Sequence, residues 1–332
     1  MIGFFMLTLV LIGAVFASVY FAEVIANRVG QPYGALLLAV AVTVIEVALI
    51  ASILLSRTPG SEAIVRDSIF ATIMIVCNGI VGTCLLVGAI KSGETVFKEE
   101  GANITLGLLI TASTLAFVLP TYTTSSPGPN YTFVQLRGAA IACFVLYLTY
   151  VYAQTVRHKT MFLPPDFDQA EDDLLSHPKP SNKKTIFSAI GLMTSLIGVV
   201  LIAKTLAPVI WEGVNALGAP RAVVGILVAC LVLLPESFTA IRQALDGKMQ
   251  NCFNLALGSG LASVGLTIPV VAVISVVFGI TLTLGLDAKS LVFLILTFIL
   301  SMMTIAMGKA TFAQGVMHIV VFVAYIRLSV NP

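Results

Sequence analysis

"VGQPYGALLLAVAVTVIEVALIAS", residues 29–52, and "LGAPRAVVGILVACLVLLPESFTA", residues 217–240, decide how this chain folds. Each opens on Gly-x-Pro, runs through small and branched apolar residues, and carries one glutamate deep in that run. Pro32 precedes Glu46 by 14 residues, and Pro220 precedes Glu236 by 16. At a rise of 1.5 Å per residue, each carboxylate lies roughly 21–24 Å into its helix. Part of that length is an opening loop, so both should sit near the middle of a membrane span.

The rest of the chain makes lipid the expected solvent. Of 332 residues, 58% are hydrophobic and 10% are charged, against about 25% charged in a soluble domain. A helix crosses the hydrocarbon with roughly 20 apolar residues. Ten stretches qualify, at about 2–22, 34–56, 65–90, 103–120, 132–155, 185–207, 220–244, 250–280, 288–307 and 310–329. They are continuous rather than alternating, which excludes a barrel. The first lacks a basic start and a small-residue cleavage site, and it is long enough to span.

A net charge of +2 gives no reason to expect nucleic acid as a partner. The five cysteines (Cys77, Cys84, Cys143, Cys230, Cys252) all fall in spans without a CxxC, so they read as packing residues. No hydrolase, zinc or phosphate-loop signature occurs, and no cofactor is expected.

The polar stretch 157–184, "RHKTMFLPPDFDQAEDDLLSHPKPSNKK", has five spans before it and five after. Its prolines and mixed charge make it a linker between a first repeat, 1–156, and a second, 185–332. Five is odd, so the second repeat starts from the opposite side of the membrane. The expected fold is therefore an all-α polytopic membrane protein of about ten transmembrane helices in two inverted five-helix repeats. That plan places a secondary transporter's site at the midplane. Loops after odd-numbered spans hold eleven Lys and Arg, the others seven, which puts the linker in the cytoplasm of a cell whose inner membrane holds the chain.

A charge at the bilayer centre costs about 2.5–3.5 kcal/mol on insertion scales, and this chain carries two. Arg57 is eleven positions from Glu46 and Arg242 six from Glu236, beyond the i+4 reach of a helix. A desolvated carboxyl without a cation keeps its proton and gives it up when a cation arrives, which is the chemistry of exchange. Pro235 is an expected helix break, freeing the carbonyl four residues before it. Further oxygens for a metal shell are expected from Thr43, Thr72, Asn78, Asn254, Ser259 and Ser263, although such residues are also ordinary helix-packing groups in membranes. Gln314 and His318 share a helix face, and the lone histidine reads as packed or hydrogen-bonded rather than as a proton relay. The acidic run Asp166, Asp168, Glu171, Asp172, Asp173 reads as solvated linker.

In "RVGQPYGALLLAVAVTVIEVALI", "RDSIFATIMIV", the acidic linker, and "PESFTAIRQAL" followed by "QNCFNLALGSGLASVGLTIPVV", the chain resembles the bacterial calcium/proton antiporters of the cation/calcium exchanger superfamily. The resemblance covers nearly the whole length. It implies ten core helices in two inverted repeats, one essential glutamate in the second helix of each, matching Glu46 and Glu236, and export of Ca²⁺, Na⁺ or K⁺ against H⁺. Many relatives have Gly-Asn-x-x-Glu, whereas Thr43 and Leu233 stand three before the glutamates here. Many also have a helix ahead of the core, and this chain starts at the core's first helix. The expected partners are inorganic cations, protons and the lipid bilayer. Competing readings are a monovalent-only Na⁺(K⁺)/H⁺ antiporter, an intramembrane enzyme using paired acids, and a channel. The repeat-related placement of the glutamates favours transport over the last two.

Overall fold

The computed structural model describes residues 2–30, 33–57, 60–163, 180–216, 218, 220 and 222–331. Pro32, Arg221 and the acidic run 166–173 lie outside the described residues. Among the described residues ten long helices follow in order: α1 (Ile2–Val29), α2 (Tyr33–Leu55), α3 (Ser61–Ser92), α4 (Glu99–Tyr122), α5 (Phe133–Arg157), α6 (Asn182–Ala216), α7 (Ala222–Leu245), α8 (Met249–Phe278), α9 (Ala288–Ile305) and α10 (Phe312–Val330). Among the described residues, nine contain stretches long and apolar enough to cross a membrane, and α2 contributes the apolar stretch Ala39–Leu55. The ten expected spans are these ten helices, with α6 extending past the expected 207 to Ala216.

Local chemistry explains several boundaries. Helices α5 and α10 open on the same tetrapeptide pattern, Thr-Phe-x-Gln. Thr132 pairs reciprocally with Gln135, and Thr311 with Gln314, as capping boxes that satisfy helix-end N–H groups. Helix α8 stops at Gly279, whose φ of 63° is the left-handed conformation that ends a helix without a Cβ clash.

The loops sort by parity. After α3, β1 (Glu94–Val96) pairs antiparallel with β2 (Lys309–Thr311), which follows α9. At that same end the Lys98 backbone N–H donates to Gln250 Oε1 at 2.7 Å, and Arg28 donates to the Pro180 carbonyl at 2.9 Å. At the other end the Thr283 N–H donates to the Glu62 carbonyl and the Gly285 N–H to the Pro129 carbonyl. Loops after odd-numbered helices thus meet at one end and those after α2, α4 and α8 at the other. The second five helices run opposite to the first five.

Packing carries the same two-fold relation. Helix α3 of the first half packs on α7 and α10, while α8 of the second packs on α2 and α5. Glycines allow both outer crossings: a Cβ on Gly82 of α3 would stand 2.8 Å from His318 Cβ of α10, and one on Gly265 of α8 would stand 2.6 Å from Tyr147 Cβ of α5. The long helices α1 and α6 pair with each other on the flank, joined by Ser18 Oγ donating to Ser195 Oγ at 2.9 Å. Helices α2, α3, α7 and α8 form the centre. Helices α3 and α8 each contain a π-helical turn, Ile75–Ile80 and Ser263–Thr267, a local widening that often marks a functional site.

Candidate functional site

Helices α2 and α7 run in opposite directions through the centre. Glu46 lies nine residues before the end of α2 at Leu55, and Glu236 nine before the end of α7 at Leu245. The antiparallel arrangement brings the two carboxylates to within about one helical turn of each other in depth, since each bonds to a serine of the same stretch of α8. Both are fully enclosed, at 3% and 2% exposure. Among the described residues the ion pairs are Arg66–Asp67 and Lys309–Glu94, so neither central carboxylate is matched by a lysine or arginine.

What meets them instead is hydroxyl. Glu46 Oε1 accepts from Ser263 Oγ at 2.5 Å and from Thr72 Oγ1 at 3.3 Å. Glu236 Oε2 accepts from Ser259 Oγ at 2.6 Å, while its Oε1 is buried with no hydrogen-bond partner among the described residues. Ser259 and Ser263 are one turn apart on α8, so a single helical turn touches both carboxylates. Thr72 serves its own half's glutamate as Ser259 does. One turn after Thr72 on α3 stands Val76, which is wholly buried. A hydroxyl donates to a carboxylate and still has lone pairs to offer a cation, so this set can hold either a proton or a hard metal ion.

The other expected ligands go elsewhere. Thr43 Oγ1 donates at 2.8 Å to the Ala39 carbonyl of its own helix. Asn254 Nδ2 donates to the Phe162 carbonyl at 2.5 Å and Asn254 Oδ1 accepts from Gln250, tying α8 to the segment after α5. Asn78 Nδ2 donates to Thr297 Oγ1 at 2.8 Å, and its Oδ1 meets His318 Nδ1 at 3.1 Å. Pro235 sits inside α7, which continues through it to Leu245. The proline does not end the helix, although the Leu231 carbonyl loses its usual partner. His318, expected to be packed or hydrogen-bonded, is both: it is buried and bonded to Asn78 and Thr304. Its link to Asn78 is visible only once Gly82 has let α10 close on α3. Among the described residues no cluster of three or more His, Cys, Asp or Glu could hold a metal, and the five cysteines are free.

Comparison with known proteins agrees with this architecture. The chain is 44% identical over 322 residues to y4hA of Sinorhizobium fredii, covering 97% of this chain and 87% of that protein. It is 31% identical over 316 residues to the sodium-potassium/proton antiporter ChaA of Escherichia coli, covering 95% and 85%. The solved structure of native YfkE shares the fold with a TM-score of 0.74 at 20% identity, over 97% of this chain and 90% of that one. Residues 1–156 and 187–331 match the family described as sodium/calcium exchanger protein, and the chain belongs to that family.

Proposed function

We propose that the chain is a secondary cation/proton antiporter of the bacterial inner membrane. In this reading Glu46 and Glu236 hold protons in one half of the cycle and a cation in the other, with Thr72, Ser259 and Ser263 completing the shell. Ca²⁺, or Na⁺ or K⁺, leaves the cell as H⁺ enters. The two repeats, 1–156 and 185–332, alternate access to the site, and the linker 157–184 lies in the cytoplasm. One observation carries the reading: two fully buried carboxylates, one from each inverted half, face hydroxyls and no basic side chain among the described residues. Such a pair is too costly to keep as a packing device.

Two carboxylates balance one divalent ion or two monovalent ones. Exchange restricted to Na⁺ and K⁺ is the second reading. It is favoured by the hydroxyl-dominated set, since Asn78 and Asn254 bond elsewhere and Ca²⁺ takes 6–8 oxygens. It is also favoured by the name of the 31% identical relative, a sodium-potassium/proton antiporter.

The test is cation-driven proton flux in vesicles holding the purified chain, with Ca²⁺, Na⁺ and K⁺ added in turn and the membrane potential clamped. Glu46→Gln and Glu236→Gln keep side-chain size but cannot trade a proton for a cation, so each should abolish flux while the protein still inserts. Near-normal flux from either inserted variant would refute the carboxylate mechanism. Cation flux without proton counterflow would convert the reading to a channel.

A further inference from the structure

The hydrogen bonds joining α3, α9 and α10 beside the π turn serve neither carboxylate directly. Asn78 lies in that turn, Ile75–Ile80, and is wholly buried, as is His318. With its carboxamide nitrogen donating to Thr297 Oγ1, Asn78 presents its oxygen to His318, which must supply the N–H from Nδ1. His318 Nε2 then faces Thr304 Oγ1 at 3.1 Å. The chain of contacts is complete from α9 through α3 and α10 back to α9.

Helix α3 is gripped on either side of this turn. Before it, Gly225 of α7 crosses so closely that a Cβ there would stand 2.6 Å from the Asp67 carbonyl carbon. After it, Gly82 and Gly315 let α10 close to backbone contact. Thr72, which donates to Glu46, lies between the first grip and the π turn. One residue of register in a helix is about 100° of rotation. If the wide turn slipped or closed into an ordinary α turn, Thr72 would swing off Glu46.

We infer that His318, through Asn78, is a positioning residue: the His318–Asn78–Thr297 hydrogen bonds pin the π turn of α3 and thereby hold the Thr72 hydroxyl on Glu46. This rests on the proposal that Glu46 binds the transported cation. No metal and no protonation change at His318 is required. The bonds hold a π turn, a form that is rare and occurs mostly as single turns inside α-helices.

A double-mutant cycle in the vesicle assay tests it, reading cation half-saturation and maximal rate separately. Thr72→Val should raise half-saturation about tenfold, and His318→Ala by a similar factor while its own maximal rate stays within about threefold of the parent. His318→Gln, which restores an N–H toward Asn78, should recover half-saturation to within about threefold. The decisive expectation is that His318→Ala with Thr72→Val is no worse than Thr72→Val alone. An additive loss of about a hundredfold, or an unchanged half-saturation in His318→Ala, overturns the inference. If His318→Ala does not insert, Thr297→Val, which removes the other anchor of Asn78, enters the same cycle with the same expectations. Glu46→Gln in the same vesicles separates the two claims: retained exchange there defeats the functional proposal itself, whereas abolished exchange with an additive cycle defeats only the role of His318.

Discussion

Ser263→Ala offers a graded test of the site, because the hydroxyl it removes has one defined partner. Ser263 Oγ donates to Glu46 Oε1 at 2.5 Å in a place that is 2% exposed. A hydrogen bond to a charged group is worth about 1.5–3 kcal/mol and one to a neutral group about 0.5–1.5. In the proposed mechanism the bond favours the ionised, cation-holding state of Glu46 over the protonated one by roughly 1–1.5 kcal/mol. At 1.4 kcal/mol per factor of ten, its loss should raise cation half-saturation roughly five- to twelvefold near neutral pH. Alanine is the best helix former, so the helix itself should survive. The measurement is cation-driven proton flux in vesicles against cation concentration, beside Ser113→Ala, whose hydroxyl is buried with no partner among the described residues and should change half-saturation less than about twofold. An unchanged half-saturation in inserted Ser263→Ala would show that this hydroxyl does not tune Glu46 and that the site has been misassigned.

Cation half-saturation in the parent should fall as pH rises and then level off, because protons and cations compete for the same oxygens and the two carboxyls titrate as a pair; a pH-independent value with intact cation flux would separate proton from cation sites. Neutralising Asp166, Asp168, Glu171, Asp172 and Asp173 should leave exchange running, with any shift in half-saturation under about threefold and vanishing at high salt; complete loss in an inserted variant would move the site into the linker. Gly265→Ala would put a Cβ 2.6 Å from Tyr147 Cβ and 3.3 Å from the Cys143 carbonyl, overpacking that should cost about 1–3 kcal/mol and lower the unfolding temperature in detergent. The Gly107→Ala control, with nothing within 4 Å of the new Cβ, should not destabilise.

The spans and the glutamates were legible because burial in lipid imposes two strong constraints: long apolar runs, and a high cost for any charge within them. Glu46 and Glu236 stand out against that background by themselves. The hydroxyls did not, since Ser and Thr are unremarkable in a membrane helix and their direction depends on rotation about the helix axis. The π turns of α3 and α8 shift that rotation. Spacing counted at 3.6 residues per turn therefore could not tell Thr72, which reaches Glu46, from Asn78, which faces α9 and α10. Thr43 shows a second obstacle: a hydroxyl in a helix can always satisfy itself on the carbonyl four residues back. One signal was present and unused. The paired Thr-Phe-x-Gln openings at 132–135 and 311–314 mark equivalent helix starts as clearly as the Gly-x-Pro pairs do.

The halves are related by symmetry, yet their hydroxyls are not. Helix α8 offers Ser259 and Ser263 to two carboxylates, while α3 offers Thr72 to one and carries Val76 one turn on. A carrier with interchangeable halves would look the same to an ion arriving from either compartment. In the mechanism proposed above, the better-provided wall on one side of the site should make the inward- and outward-facing forms differ in free energy even with no gradient imposed. The molecule should therefore rest preferentially in one orientation and behave as a rectifier, with unequal half-saturation for the same cation measured from its two faces. Right-side-out and inside-out vesicles would measure that inequality directly, and equal values would mean that Val76 and Ser263 are equivalent to the passing ion.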